Sequence, residues 1–324
     1  MIARLSSSPV PDLERGGPDV ARSPGQPPHR STLTLLLVSL RPEQWTKNLV
    51  VFAGLLFGGQ LANPDALLRA VATFTIFCAL SAAVYLFNDV ADREADQQHP
   101  LKRMRPIASG QLSAKLGLLT AAFLGAVAVG ASLLVSPALA LVAGAYLTLL
   151  LVYSAALKNI VIIDALTIAG GFVLRAVAGA VAVSVPISHW LLVCTTLLAL
   201  FLAFSKRRHE LTMLGDGAIG HRRILEEYTP YLLDQMVSVV TASTLIAYSF
   251  YAISPETAER LGTSRLGLTI PFVLYGIFRY LYLVHQKRGG GDPSTMLLTD
   301  RPLLICVGLW ALSVALILYS PLGR

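Results

Sequence analysis

The sequence predicts an all-α polytopic membrane protein, with nine transmembrane helices around a central cavity open to the cytoplasmic face. Three observations carry that expectation. The 324 residues are 54% hydrophobic and only 14% charged, where a soluble domain carries about 25% charged residues. Mean hydropathy is +0.63, which points to lipid as the solvent. Apolar stretches recur at the length of roughly 20 residues that a bilayer core about 30 Å thick requires.

The elements follow in chain order. Residues 1–31, rich in Pro, Ser, Gly and Arg, read as a disordered cytoplasmic tail, and 32–324 as one transmembrane domain. No compact apolar core follows the first positive residues, so no cleavable signal peptide is expected. Thr32–Leu40 is apolar but stops at Arg41-Pro42, and it reads as an interfacial stretch because Pro42 interrupts a continuous helix. Spans are expected near 46–62, 66–90, 116–134, 137–157, 161–182, 188–205, 236–254, 266–285 and 302–320. The first is the weakest, short and interrupted by Gly54, Gly58 and Gly59.

Charge decides the orientation. With nine spans, Arg41 and Lys47 share one side with Arg93, Lys102, Arg103, Arg105, Lys115 and Lys158. Lys206, Arg207, Arg208, Arg222, Arg223, Lys287, Arg288 and Arg301 fall there too. The opposite loops carry little beyond Arg260, Arg265 and Arg324. The positive-inside rule makes the rich side cytoplasmic and the C-terminus extracytoplasmic, in the plasma membrane. A net charge of +7 then suits anionic headgroups and anionic substrates rather than nucleic acid. Cys78, Cys194 and Cys306 lie far apart in apolar stretches and read as small buried hydrophobes, with no disulfide framework or zinc spacing. No Gly-rich phosphate loop, Ser/His/Asp order or His/Cys metal set is present.

The two longest cytoplasmic loops, about 91–115 and 206–235, hold most of the carboxylates and histidines. The strongest signal is Asn88-Asp89-Val90-Ala91-Asp92-Arg93-Glu94-Ala95-Asp96. On a continuing helix, with about 100° between residues, Asn88, Asp89, Asp92 and Asp96 share one stripe. Such carboxylates repel one another unless a cation lies between them, and oxygen-only ligands suit magnesium shared with a substrate diphosphate. Next comes His99-Pro100-Leu101-Lys102-Arg103-Met104-Arg105-Pro106, whose cations are what a phosphate requires, although positive-inside topology also puts basic residues here.

In Arg41-Pro42-Glu43-Gln44-Trp45-Thr46-Lys47-Asn48, Trp45 fits an interfacial anchor. Arg41 and Lys47 either snorkel to headgroups or hold a lipid phosphate with Gln44 and Asn48. Tyr153, Lys158 and Asp164 mark the turn between the fourth and fifth spans, as a helix-end pair or as part of the same vestibule. Arg175, about 16 Å deeper, caps helix carbonyls or touches substrate. His189 reads as an interface residue. The second loop carries Lys206-Arg207-Arg208-His209-Glu210 and no Asp-x-x-x-Asp.

These motifs together resemble the UbiA-type intramembrane prenyltransferase superfamily, over about residues 32–320. The Asp-rich motif alone points only to the superfamily. Added to it, Arg41-Pro42-x-Gln44-Trp45-x-Lys47-Asn48, His99-Pro100-x-Lys102-Arg103-x-Arg105-Pro106, Lys206-Arg207-Arg208-x-Glu210-Leu211 and Leu298-Thr299-Asp300-Arg301-Pro302 are similar to one branch. That branch comprises the polyprenyl-phosphate phosphoribosyltransferases that start arabinan precursor synthesis in mycobacteria and relatives. Ordinary members resemble one another in carrying a second Asp-rich motif; the cationic 206–210 segment departs from that, and suits a second phosphate-bearing substrate better than a second metal.

The resemblance implies transfer of phosphoribosyl from phosphoribosyl pyrophosphate to decaprenyl phosphate, with release of diphosphate and a need for Mg2+. It implies catalytic Asp89, Asp92 and Asp96, with the metal held by these and Asn88. Substrate contacts would come from Arg41, Gln44, Lys47, Asn48, Asn88, Lys102, Arg103, Arg105, Tyr153, Lys158, Asp164, Lys206, Arg207, Arg208 and Glu210. A prenyltransferase using prenyl diphosphate and an aromatic acceptor is the first alternative, and a lipid transporter the second. The oligomeric state stays open, a homo-oligomer being among the alternatives.

Overall fold

Prolines and caps set the element boundaries. The computed structural model describes residues 31–100, 102–214, 223–287 and 293–320; nearly all of the expected tail, with Arg222, Arg288 and Arg324, lies outside them. The helices are α1 (Thr32–Ser39), α2 (Phe52–Phe57), α3 (Pro64–Ala91), α4 (Arg93–Gln98), α5 (Ala114–Val135), α6 (Pro137–Ala155) and α7 (Ile163–Ala182). They continue with α8 (His189–Leu214), α9 (Pro230–Ile253), α10 (Pro255–Leu261), α11 (Ile270–Gln286), α12 (Pro293–Thr299) and α13 (Arg301–Tyr319). Asn63 accepts from the N–H groups of Asp65 and Ala66 to cap α3, with Pro64 at the first helical position. Ser136, Thr229 and Asp300 cap α6, α9 and α13 in the same way.

Among the described residues, eight helices are long and apolar enough to cross a membrane: α3, α5, α6, α7, α8, α9, α11 with the turn before it, and α13. Their outward faces carry large apolar side chains such as Phe123, Leu134, Leu141, Phe250 and Leu312, as lipid contact requires. The most buried spans are α3 and α7, which form the centre of one half of the bundle. Cys78, Cys194 and Cys306 are free thiols, and His189 is exposed.

The expected first span, 46–62, is not a continuous α-helix. Pro42–Val51 forms a 3-10 helix, followed by the six residues of α2. At about 2.0 and 1.5 Å per residue these two pieces extend roughly 29 Å. They run antiparallel to α3. Arg41 meets Asp89 at its end, Asn48 meets Cys78 and Ser81, and Phe52 stacks 5.5 Å from Phe74.

The other side of this segment lies backbone-to-backbone on α7. A Cβ on Gly179 would come within 1.9 Å of the Val51 carbonyl oxygen, and one on Gly54 within 2.6 Å of the Ala180 nitrogen. Gly54, one of the glycines that weakened the helical pattern, and Gly179 on α7 are what allow this approach. At its far end the Tyr319 hydroxyl donates to the Leu56 carbonyl, at 2.8 Å, and accepts from the Leu61 N–H, at 3.2 Å.

Candidate active site

A cavity of about 1230 Å³ runs between the 3-10 segment, α3, α7, α8, α9, α11 and α13. One end is polar, walled by Arg41, Lys47, Asn88, Asp92, Asp96, Lys102, Arg105, Tyr153, Lys158 and Lys206. Its remaining wall is mostly aromatic and apolar, with Phe172, Trp190, Tyr248, Tyr251, Tyr280 and Trp310. A polar mouth joined to an apolar chamber fits a ligand with a charged head and a hydrocarbon body.

The Asp-rich motif sits at the mouth, but not as one uninterrupted stripe. α3 ends at Ala91, Asp92 occupies the junction, and α4 begins at Arg93. Asp89 and Asp96 stay together on Arg105, while Asp92 at the junction pairs elsewhere. Asp89, 2% exposed, accepts from Arg41 and from Arg105, the latter at 3.2 Å. The same Arg105 Nη1 donates to Asp96 at 2.5 Å. Asp92 pairs with Lys158 across from the α6–α7 turn. The cations that the like charges require are thus the chain's own.

Consequently, among the described residues no group of three or more His, Cys, Asp or Glu side chains is gathered as a metal would need; Asp89, Asp92 and Asp96 are held by Arg41, Arg105 and Lys158 instead. The donor chemistry nonetheless fits a hard divalent ion. Asn88, Asp92 and Asp96, all oxygen-bearing, line the cavity, and the partners of the two carboxylates, Lys158 and Arg105, are long side chains on its wall that can turn to a phosphate.

Arg41 is placed by an unusual backbone. It takes φ 52° and ψ 63°, the left-handed region, which costs a non-glycine residue about 1–2 kcal/mol. That turn between α1 and the 3-10 segment swings the guanidinium over the Tyr85 ring, 5.1 Å from its centroid, and onto Asp89. Tyr85 itself lines the cavity. It was not singled out in the sequence, although it lies three residues before Asn88 and hence on the same face. Asn159 is a further cavity residue of that kind, and His99, the head of its motif, lines the cavity too.

The 206–210 segment differs most from expectation. It is no loop but the last turns of α8, so three consecutive cations point about 100° apart. Lys206 lines the cavity. Arg207, 2% exposed, turns into the protein, donating to Asp164 at 2.7 Å and to Glu210 at 2.6 Å. Arg208 turns the other way to Asp234. Arg207, Arg208, Asp164 and Glu210 are therefore not brought to the cavity wall.

Asp164 instead anchors a sealed joint between α7, α8 and the turn at 223–227. The Tyr228 hydroxyl donates to it at 3.0 Å and accepts the Ile162 N–H at 2.7 Å. Ile162 holds φ 67°, a strained value for a β-branched residue. Burial pushes the Tyr228 hydroxyl up to about 12, with the Asp164 carboxylate adding to the effect. Tyr153 touches both regions: it lines the cavity, and its hydroxyl lies 3.5 Å from Arg207.

Three other expected contacts have different places. Gln44 accepts from Lys47. Asn48 is buried beside Arg175, and Arg103 is exposed outside the cavity wall. The Leu298–Pro302 motif is a joint: Asp300 caps α13 and takes Arg279 through two bonds of 3.1 and 2.8 Å. That guanidinium holds the Asp300 carboxyl below the usual carboxylate range.

Known proteins resemble this chain in sequence and in fold. The profile of the UbiA prenyltransferase family matches residues 48–300. The chain is 32% identical to the decaprenyl-phosphate phosphoribosyltransferase of Corynebacterium glutamicum, over 91% of this chain and 89% of that protein. It is 32% identical to the enzyme of the same name from Mycolicibacterium smegmatis, over 90% of this chain and 95% of that protein. Among solved structures, a UbiA homolog from Archaeoglobus fulgidus bound to GPP and Mg2+ superposes with a TM-score of 0.68. It shares 18% identity over 87% of this chain and 99% of its own, a likeness of fold.

Proposed function

The chain belongs to the UbiA prenyltransferase family, a family of multi-pass membrane transferases, and we propose that it moves a phosphoribosyl group from phosphoribosyl pyrophosphate onto decaprenyl phosphate. The observation that carries this reading is the polar mouth. One acidic motif is ringed by Arg41, Lys47, Lys102, Arg105, Lys158 and Lys206, more cations than one diphosphate needs. Two phosphate-bearing substrates would use them. The two relatives named above bear the name of that activity.

In this reading the donor's diphosphate lies against Arg105, Lys102 and Lys158. Mg2+ held by Asp92, Asp96, Asn88 and Asp89 would supply charge that stabilises the leaving diphosphate. Lys47, Lys206 and Arg41 orient the lipid phosphate, whose oxygen attacks C1 of the ribose. The C1–O bond to diphosphate breaks as the new C1–O bond to the lipid phosphate forms, with inversion. The nucleophile is already an anion, so no side chain need take a proton. Fixed cations stabilise the charge that moves onto the departing diphosphate. The polyprenyl chain leaves along apolar helix faces.

The run from Arg41 to Phe57 serves as the ninth crossing, and the Asp-rich end faces the cytoplasm of a plasma-membrane protein. Its product would feed arabinan precursor synthesis. Purified protein in detergent, given magnesium, radiolabelled phosphoribosyl pyrophosphate and a polyprenyl phosphate, should carry label into the organic phase, and EDTA should stop it. Label that stays in water, while prenyl diphosphate and an aromatic acid give product, would replace this reading with ordinary prenyl transfer.

A further inference from the structure

Arg175 is a buried cation that the catalytic scheme above does not use. It is 5% exposed, near the middle of α7, and it reaches the cavity. Its Nε donates to Asn48 Oδ1 at 2.7 Å, and its Nη2 to Tyr146 at 2.6 Å and to Ser81 at 3.4 Å. The guanidinium carbon lies 4.7 Å from the Tyr146 ring centroid and 5.1 Å from that of Phe172. The sequence left open whether this arginine caps helix carbonyls; its partners are side chains instead.

Two features make it more than a brace. Among the described residues no carboxylate pairs with it, and its hydrogen bonds run from Nε and Nη2, leaving Nη1 with no partner. Nor is the side chain sealed away, since Arg175 lines the cavity. A positive charge at this depth is costly without an anion. Stability does not explain it, because its neighbours satisfy one another without it. Ser81 bonds Asn48 at 3.2 Å and Tyr146 at 3.1 Å.

We infer that Arg175 Nη1 is the inner phosphate-binding point of the cavity, taking the phosphate monoester of one substrate. Ser81 lies seven residues below Asn88 on α3, about 10 Å at 1.5 Å per residue. That is the scale on which a second phosphate lies from a diphosphate held at the mouth. The planar guanidinium, locked by three side chains and two rings, offers two N–H donors to it in fixed geometry. The inference rests on the proposed reaction, in which both substrates carry such a group: the donor's 5-phosphate and the phosphate of the lipid.

The test is Arg175→Met, with Arg175→Lys beside it, read by KM for each substrate and by thermal unfolding in detergent. Arg175→Met should keep the wild-type thermal midpoint and raise one KM about tenfold or more, as loss of a charge-assisted hydrogen bond does. Arg175→Lys should recover part of the loss. A rise for phosphoribosyl pyrophosphate identifies the 5-phosphate; a rise for polyprenyl phosphate identifies the lipid. Inorganic phosphate should stabilise the wild type against heat more than it stabilises Arg175→Met.

Unchanged KM values for both substrates, or an Arg175→Met protein that fails to fold, would make Arg175 a brace and overturn the inference. Wild-type protein silent with both substrates would overturn the transferase reading instead, and the phosphate titration would then decide Arg175 alone.

Discussion

The two charged regions of this protein are built from the same residue types and do opposite things. At the cavity mouth Asp89, Asp92 and Asp96 meet Arg41, Arg105 and Lys158, and most of these side chains open on the cavity. Around Asp164 the ion pairs with Arg207 and the bond from Tyr228 are closed off, with Asp164 fully buried and Arg207 nearly so. A pair facing a cavity can exchange its partner for a substrate phosphate. A pair sealed between helices cannot, because separating it would leave a charge without water or counter-ion. Accessibility, more than composition, separates a candidate site from a joint.

The comparison can be broken most decisively at the mouth. Asp92→Ala should lower turnover by about 10²–10³-fold, the scale on which a lost transition-state contact acts, with the thermal midpoint unchanged; transfer assays and thermal unfolding on one preparation check it. At the joint the signs reverse. Arg207→Met leaves Asp164 buried and unpaired, so stability should fall by about 3–5 kcal/mol, seen as a lower thermal midpoint or poor yield.

Lys158→Met separates the two regions again. It should raise KM for phosphoribosyl pyrophosphate roughly tenfold through loss of one charge-assisted contact, without a change in midpoint. Tyr228→Phe is the smallest change, costing the joint about 1–3 kcal/mol of stability through the Ile162 N–H and the Asp164 oxygen it leaves unpaired. It also carries a pH signature. The folded Tyr228 hydroxyl is pushed up to about 12 from an ordinary 10, so its contribution is full below pH 10 and disappears as pH rises towards 12. The wild type should lose thermal stability across that window and Tyr228→Phe should lose less.

Most of the fold was legible because membrane spans are long apolar runs with clear ends. The stretch expected at 66–90 is Pro64–Ala91, and that at 302–320 is Arg301–Tyr319. The segment at 46–62 was legible as an apolar stretch interrupted by glycines but not as a 3-10 helix. Its conformation is set by Pro42 and by the backbone of Gly179, which lies more than a hundred residues away in sequence. The site was legible as a set of motifs at one end of the bundle. Its division was not.

Lys206, Arg207 and Arg208 read as one cationic loop until the helix carrying them separates their directions. Likewise the stripe of Asn88, Asp89, Asp92 and Asp96 assumed an unbroken helix, and the junction at Asp92 sends that carboxylate to Lys158. Sequence spacing sets which face a residue shares, and a single break in the helix resets it.

The central claim is that the cavity mouth, and not the sealed joint, holds the reacting phosphates. It is tested most directly by measuring magnesium-dependent transfer of radiolabel into lipid for wild type and Asp92→Ala, with the thermal midpoint of each. The account predicts that Asp92→Ala keeps its midpoint and loses nearly all transfer. Wild-type rates in Asp92→Ala would contradict it.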